Sequence, residues 1–597
     1  MATNYWSKIM TKRMKRRRLL ATIAGTSLAA ATLAACGDDS DEGSSGASKG
    51  LLSQRTDTTK QAVPGGVWPL THPEDQLNFD LNTHGDTSSY HYASKTYENL
   101  LRYGRGAGNR PPPAGEISGD AADSWELSPD GLQVTFHVRP NHKFDPRPPT
   151  SGRAMNAQDV QFSWDRTVAL SPFAGDILNS KNEAGPILSL NTVNNETVVV
   201  KLAFPYAPIL EVFAYYSYLW VMPKEADGQI DLRSQTRGSG PFFLEKWEPG
   251  IGIEYRKNPD WYEKGRPFLD GIKSTILPEY ASSLSQFETG NIWTFSEGNW
   301  RIQPEDILPV KQRHPELVLQ QEPSIGAPEA YYVMFSGKKD SPLQDVRLRR
   351  AASMLMDRDA YAETFYNLAP FRDAGIPVET VWHSHLAAQG AAWVDPKGND
   401  LGEGAKFFQH NPEEARKLIS AAGATAQTFA YWSRQRTPDF PTVIANMLSD
   451  GFQLDAKILD TQTEWRPFVQ QSKGAKVDGF VGDAIAAGYN DESFLINKYT
   501  PSGKFSVAPD PIPGITDAIK RARQELDADK RNNMLKQVQR DLAMQMPDIP
   551  ELSLGSRFAL NWPWIKNFGV FTWGGIFHSS SSRVYTEYWF DTKAKTT

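Results

Sequence analysis

The stretch from residue 237 to residue 272 constrains the fold more than any other part of the chain. A Gly-Ser-Gly-Pro turn at 238–241 and a Pro-Gly turn at 249–250 bracket one apolar run. After the second turn, residues 251–256 alternate between apolar residues and small or charged ones, which is the period-two pattern of a half-buried strand. An Asn-Pro-Asp group at 258–260 ends that strand. The stretch therefore predicts a β-meander.

The order of residues in this stretch is also specific. Gly-Ser-Gly-Pro-Phe is followed by Trp-x-Pro-Gly, then by Arg-Lys-Asn-Pro-Asp-Trp-Tyr, and finally by Phe-Leu-Asp-Gly-Ile. This order resembles the sheet segment of extracytoplasmic solute-binding proteins of family 5, the oligopeptide/dipeptide class that serves ABC importers. Further matches cover most of residues 65–560. They include an Ala-x-Ser-Trp-Glu element within 121–127, an Asp-x-Arg-x-Arg-x-Ala helix from Asp345, and an Asn-Pro-Glu-x-Ala helix from Asn411.

Local signals predict the elements that carry these matches. Asn156 can cap a helix whose first turn holds Asp159, and Asp345, Asp357 and Asn411 occupy equivalent capping positions. Further helices are predicted at 441–450 and 529–546, and strands near 66–70, 132–138, 455–459 and 547–554.

The resemblance implies an α/β protein of the periplasmic-binding-protein type II-like class, with two large lobes joined by a hinge and a smaller inserted lobe. Lobe I is expected to comprise residues 61–85, 204–285 and 552–597. The inserted lobe II is expected at 86–203 and lobe III at 286–551.

The N-terminal region has the pattern of an exported lipoprotein. A basic cluster precedes an uncharged, Ala-rich run, and Leu-Ala-Ala stands directly before Cys36. This arrangement predicts a signal peptide over 1–35 and a lipid anchor on Cys36. Residues 36–60 are predicted to be a flexible tether, because they contain little apolar surface. The predicted location is extracytoplasmic and membrane-anchored, in the periplasm or on the outer face of the cytoplasmic membrane.

Composition excludes several classes of protein. The formal net charge is −6, and the body is more acidic than this because the basic cluster lies in the signal region, so no nucleic-acid partner is expected. One cysteine excludes an internal disulfide framework. No motif of a hydrolase, a nucleotide site or a zinc protease is present. His383 and His385 form the one close histidine pair, for which a solvated or hydrogen-bonded role outweighs a metal site. The sequence predicts no enzyme, metal or cofactor.

Candidate ligand contacts follow from the resemblance. Peptide-binding members of the family hold the ligand's amine with an aspartate before an Asp-Tyr-Asn loop, but Ala487 or Gly488 occupies that place in the matching run 486–495. A peptide, an opine and a sugar derivative therefore remain alternative ligands. The candidate residues are Thr87, Phe173, Tyr489 and Asn490, then Asp86, Trp300, Trp382 and Asp483. Core packing is the alternative role for each aromatic residue.

The predicted function is capture of a small polar solute by hinge closure and delivery to ABC permease subunits, by a protein that acts as a monomer. A sensor or chaperone on the same fold is one alternative. A hydrolase that uses paired acids in the cleft is the other.

Overall fold

A computed structural model describes residues 51–76, 78–83, 92–107, 116–215, 217–297, 300–322, 329–388, 391–424, 428–434, 440–460, 464, 478–486, 490–500, 512, 514–550, 554–573 and 583–595. The signal region and Cys36 lie outside these residues. The α-helices are Ala157–Leu170, Ala174–Ile177, Ile209–Val212, Tyr280–Glu288, Pro304–Arg313, Val346–Met354, Arg358–Phe365, Leu368–Asp373, Pro412–Ala421, Phe440–Ser449, Asp491–Tyr499, Ile515–Gln524, Ala528–Gln545 and Thr592–Lys595.

Three larger sheets organise the chain. The first has the strand order Val67–His72, Gly271–Ile276, Gly252–Lys257, Phe242–Glu248, in which the first pair is parallel and the others are antiparallel. The second is antiparallel, with the order Ala122–Leu127, Gln133–Val138, Thr197–Leu202, Ile187–Thr192. The third is mixed, with the order Gln453–Leu459, Thr428–Arg434, Phe480–Ala486, Glu329–Phe335, Asp548–Ile549.

Short strand pairs complete the sheet structure. They join Leu101–Tyr103 to Ile117–Gly119, Arg105–Ala107 to Phe571–Trp573, Ser296–Glu297 to Trp300–Arg301, Val318–Glu322 to Arg557–Asn561, Thr380–Val381 to Leu554–Gly555, and Ile565–Lys566 to Trp589–Phe590.

The predicted meander is confirmed as the hairpin and returning strand of the first sheet. Strands Phe242–Glu248 and Gly252–Lys257 pair across the Pro-Gly turn, and Gly271 begins the next strand. A Cβ atom at Gly271 would lie 2.4 Å from the carbonyl oxygen of Tyr255. The two strands can therefore approach this closely only because residue 271 is glycine.

The predicted helix starts are also confirmed. The Asn156 side chain accepts a hydrogen bond from a first-turn amide, and the Asp159 carboxylate accepts one from the Asn156 amide, which completes a capping box. Asp345, Asp357 and Asn411 each accept a hydrogen bond from an amide of the helix that they precede.

Each large sheet lies beside its own apolar core. The lobe I core surrounds the first sheet and includes Trp68, Phe242, Phe287, Leu319 and Phe558. The inserted-lobe core surrounds the second sheet and includes Phe136, Trp164, Tyr206, Phe213 and Trp220. Two adjoining clusters form the lobe III core, with Leu348, Tyr431 and Phe480 in one and Leu495, Ile519 and Leu542 in the other.

These cores group the chain as follows. Residues 206–232 pack with the inserted lobe and residues 287–319 pack with lobe I, so the two segments are taken as parts of those lobes. The lobe boundaries given by sequence stay a prediction. The end of the predicted tether lies against lobe I, where Ser53 donates its amide to the Leu319 carbonyl at 2.8 Å. Within the described ranges, no helix combines the length and the apolar character needed to cross a membrane.

Candidate functional site

Five of the predicted ligand-contact residues lie outside the part of the chain whose side chains the structure describes. Asp86, Thr87 and Tyr489 are outside the described residues. Trp300 pairs with Glu297 in a short hairpin. Asp483 lies in strand Phe480–Ala486, in register with Tyr332 of the adjacent strand. The structure describes only the backbone at Trp300 and Asp483, so all five ligand contacts stay predictions.

Phe173 and Trp382 pack against cores. Phe173 precedes the short helix Ala174–Ile177 and is half-buried against the inserted-lobe core. Trp382 is buried in the lobe III core, and its Nε1 donates to Asp359 Oδ1 at 2.8 Å. The Lys397 ammonium lies 5.1 Å from the Trp382 ring centroid. These contacts give Trp382 a packing role, and its ligand contact stays a prediction.

Asn490 stands where the inserted lobe meets lobe III. Its Oδ1 accepts from the Ser493 amide at 2.8 Å and so caps helix Asp491–Tyr499, which packs in lobe III. Its Nδ2 lies 3.4 Å from Tyr206 Oη, in the inserted lobe, and its side chain also hydrogen-bonds Glu211. One predicted site residue therefore joins the two lobes.

Arg523 crosses the same boundary. It is 3% exposed and extends from helix Ile515–Gln524 of lobe III. Its guanidinium carbon lies 4.6 Å from the Tyr206 ring centroid and 5.5 Å from that of Phe204. An Nη1 group donates to the Ala184 carbonyl in the inserted lobe. Cation–π contacts of a desolvated arginine stabilise such a junction.

Three carboxylates lie near Arg523, at the same boundary between the lobes. Glu211 of the inserted lobe faces Asp491 and Glu492, which begin the lobe III helix. Burial raises the pKa of Glu211 to about 8, and the Glu492 carboxylate adds to the rise. Burial and Glu492 likewise raise the pKa of Asp491 to about 8. Arg531 opposes both shifts from helix Ala528–Gln545, with its Nε 2.9 Å from Glu492 Oε1.

The far end of helix Asp491–Tyr499 is held by a buried polar cluster. Lys498 Nζ lies 2.5 Å from Asp548 Oδ2, and Tyr499 Oη and His385 Nδ1 each lie 3.2 Å from Asp548 Oδ1. Burial lowers the pKa of Lys498 to about 7, although Asp548 favours its charged form. The cluster fixes the helix that presents Asn490.

The histidine pair takes part in hydrogen bonds inside lobe III. Both rings are fully buried. His383 Nδ1 accepts from the Ala388 amide at 2.8 Å, and His385 contacts Asp548. Across the described part of the chain, no three His, Cys, Asp or Glu side chains are arranged to hold a metal ion.

The junction between the inserted lobe and lobe I has a different chemistry. Glu98 is fully buried and accepts hydrogen bonds from Ser239 Oγ and Trp261 Nε1, each at 2.8 Å, and it also contacts His142 Nε2. Burial alone would raise the pKa of Glu98, but the His142 ring and the hydrogen bonds outweigh it and hold the pKa at about 2.

A second buried carboxylate at this junction is paired with an arginine. Arg583 Nη2 lies 2.6 Å from Asp120 Oδ2, and both side chains have no exposed surface. The guanidinium also donates to the carbonyls of Ser94, at 2.6 Å, and Tyr97, at 3.1 Å. The segment that carries Arg583 is thereby attached to the inserted lobe.

Sequence reasoning did not identify Tyr206, Glu211, Arg523 or Arg583 as functional. The sequence does indicate that Arg523 is buried, because the spacing of Ile515, Ile519 and Ala522 places it on the apolar face of its helix. A buried arginine on an apolar face requires a partner. Its partner Ala184 lies 339 positions away in sequence, so the local pattern could not identify it.

Comparison with known proteins identifies the family. The model of bacterial extracellular solute-binding proteins, family 5 middle region, matches residues 116–506. Di/tripeptide-binding protein 2 of Pseudomonas aeruginosa is 25% identical over 72% of this chain and 80% of its own length. Dipeptide-binding protein DppE of Bacillus subtilis is 22% identical over 81% of this chain and 85% of its own length.

Solved structures share the fold. DppA from Helicobacter pylori, in complex with the peptide STSA, gives a TM-score of 0.69 at 17% identity and covers 89% of this chain and 99% of that chain. MoaA of A. tumefaciens R10, in complex with mannopinic acid, gives 0.66 at 20% identity, with 89% and 100% covered. The predicted periplasmic-binding-protein class is confirmed. The chain belongs to the bacterial extracellular solute-binding proteins of family 5.

Proposed function

We propose that this protein captures a small polar solute outside the cytoplasm and delivers it unchanged to the permease subunits of an ABC importer. The family match over residues 116–506 carries this proposal. Relatives named for dipeptide or di/tripeptide binding support a peptide ligand. Neighbouring structures with mannopinic and agropinic acid support an opine as the alternative, and a sugar derivative remains a third class to be tested.

The proposed capture step is closure of the lobes over the solute. A ligand that contacts both sides of a cleft binds the closed form more tightly than the open form, and so it shifts the population to the closed form. Asn490, a predicted ligand contact, caps a lobe III helix and contacts Tyr206 of the inserted lobe, which supports a role at a lobe boundary. The loaded, closed form is the species that the permease recognises in this proposal.

Attachment is proposed to occur through a lipid on Cys36, with the protein acting as a monomer. Metabolic labelling with a fatty-acid analogue tests the anchor, with Cys36→Ser as the matched control. If Cys36→Ser still takes up the label, the proposed lipid anchor on Cys36 is wrong.

Thermal unfolding tests the proposed capture. The probes are the dipeptide Met-Leu, the peptide STSA, mannopinic acid, agropinic acid and a panel of oligosaccharides. A true ligand raises the melting temperature with concentration, because it binds the folded state alone. Mass spectrometry of the recovered probe distinguishes capture from hydrolysis. The proposal fails if none of these classes shifts the transition, or if a bound probe is converted to products.

A further inference from the structure

The contact between the inserted lobe and lobe III is continuous. It begins at Glu183, whose carboxylate lies 3.0 Å from Lys520 Nζ, and it continues through the buried Ala184 to Tyr206 and Glu211. Ala184 belongs to the inserted lobe in sequence but packs in the apolar cluster of lobe III. The inserted lobe is therefore a direct partner of lobe III.

The guanidinium of Arg523 is suited to a contact between lobes that breaks and forms again. A planar guanidinium can stack on aromatic faces and donate at its edge at the same time, which an ammonium cannot do. Its donation to the Ala184 carbonyl and its stacking on Tyr206 and Phe204 both end when the lobes separate. Separation also returns the guanidinium to water, where it is well solvated.

The neighbouring carboxylates add a dependence on pH. Glu211 is hydrogen-bonded by the Asn490 side chain, which caps the helix that begins with Asp491 and Glu492. Arg531 Nε lies 2.9 Å from Glu492 Oε1 and faces Glu211 from a second helix, while Arg523 faces Glu492 from a third. When the lobes separate, Glu211 leaves these carboxylates and regains solvent. Closure therefore takes up protons between the ordinary carboxylate range and pH 8, and it is disfavoured as pH rises through that window.

We propose that Arg523 is a positioning residue for solute capture, acting as a latch that holds the inserted lobe against lobe III, and that the carboxylate cluster around Glu211 releases this latch as pH rises. The inference rests on the proposed function and deepens it, because a contact made by the protein itself adds to the stability of the closed form that the solute also favours. A solute that requires the closed form binds more weakly when this contact is lost, even though Arg523 need not touch the solute.

A distance measurement on the unliganded chain tests the latch without knowledge of the ligand. Cysteines for spin labels replace the exposed residues Asn191 and Asn533, in the inserted lobe and lobe III, in a background that carries Cys36→Ser. Double electron–electron resonance then reports the interlobe distances. Arg523→Ala is expected to lower the population at the distance of this structure about tenfold. Arg521→Ala is the matched control, because Arg521 is exposed on the same helix.

Further variants separate a latch from a general structural role. Arg523→Lys retains the charge, and it replaces Arg523→Ala in the distance measurement if Arg523→Ala does not fold. In a Tyr206→Leu background, the effect of Arg523→Ala is expected to be smaller than in the parent protein, because the nearer of its two aromatic partners is already gone. Raising pH from 6 to 9 is expected to open the parent protein more than it opens Glu211→Gln, in which Asp491 and Glu492 still titrate at the boundary.

Two outcomes would overturn the latch. One is an identical distance distribution in the parent protein and Arg523→Ala, and the other is an equal response in Arg521→Ala. Because no solute or permease enters this experiment, its failure would leave the proposed capture function standing. A failed ligand screen would likewise leave the interlobe measurement valid.

Discussion

The inserted lobe meets lobe I through carboxylates paired with cations or donors, and it meets lobe III through carboxylates placed beside one another. At the first junction Asp120 binds Arg583, and Glu98 binds His142, Ser239 and Trp261. At the second, Glu211 faces Asp491 and Glu492. The pKa of Glu98 is held at about 2, whereas that of Glu211 is raised to about 8. Burial also raises the pKa of Asp120, although Arg583 opposes that rise.

This difference separates a permanent joint from a movable one. Separating the first junction would leave buried charges without partners, which is among the larger penalties that a protein can incur. Separating the second returns the Glu211 carboxyl and the Arg523 guanidinium to water, so neither charge is left buried without a partner. We therefore expect the inserted lobe and lobe I to move as one unit, with relative motion concentrated at the boundary with lobe III.

The largest expected effect comes from Arg583→Met, which leaves the buried Asp120 carboxylate without its cation. The free energy of unfolding is expected to fall by about 3–5 kcal/mol, measured by urea denaturation. Arg233→Met is the control, because Arg233 is 86% exposed in its ion pair with Asp231 and should change little. A loss below about 1 kcal/mol in Arg583→Met would remove the distinction between the junctions.

The second prediction uses acid pH to test the paired junction. Because the folded-state pKa of Glu98 lies below its ordinary value, its stabilisation is complete above about pH 4.5 and is lost as pH falls toward 2. Glu98→Gln is expected to cost about 2–3 kcal/mol at pH 6, and the difference from the parent protein should disappear near pH 2. Urea denaturation across this range measures it. A cost that does not change with pH would contradict the ionic role.

How well the sequence predicts a structural feature depends on how far apart in the chain the residues that form it lie. The meander at 237–272 and the caps at Asn156 and Asn411 were predictable, because each signal lies within a few residues of the structure that it specifies. The residue order in those segments also predicted the fold class. Arg523 and Glu211 were not predictable as a junction, because their contacts join segments that only the packed lobes bring together.

The third prediction tests the opposite pH response of the movable junction. A raised carboxylate pKa means that the closed form gains protons, so its stability is greatest below about pH 4.5 and declines as pH rises through about 8. Between pH 6 and pH 9 the parent protein is expected to lose roughly 1 kcal/mol, with partial exposure of Glu211 taken into account. Urea denaturation is again the measurement. Glu211→Gln should remove the part of this slope that Glu211 contributes and leave the part from Asp491, whereas Glu98→Gln should retain the whole slope.

The smallest expected effect concerns Asn490, whose cap and interlobe contact can be separated. Serine caps a helix about as well as asparagine, so Asn490→Ser keeps the cap while withdrawing the amide from Tyr206. The change is expected to cost about 0.5–1 kcal/mol, and Asn490→Ala about 1 kcal/mol more because it also removes the cap. Thermal unfolding at pH 7 measures both.

Asn411 provides the matched control, because it caps helix Pro412–Ala421 from an exposed position. Asn411→Ser should therefore be nearly neutral, and Asn411→Ala should show only the cost of the lost cap. If Asn490→Ser is as neutral as Asn411→Ser, the amide contact with Tyr206 adds nothing to the junction. The interlobe boundary would then depend on its other contacts, which include those of Arg523 and Lys520.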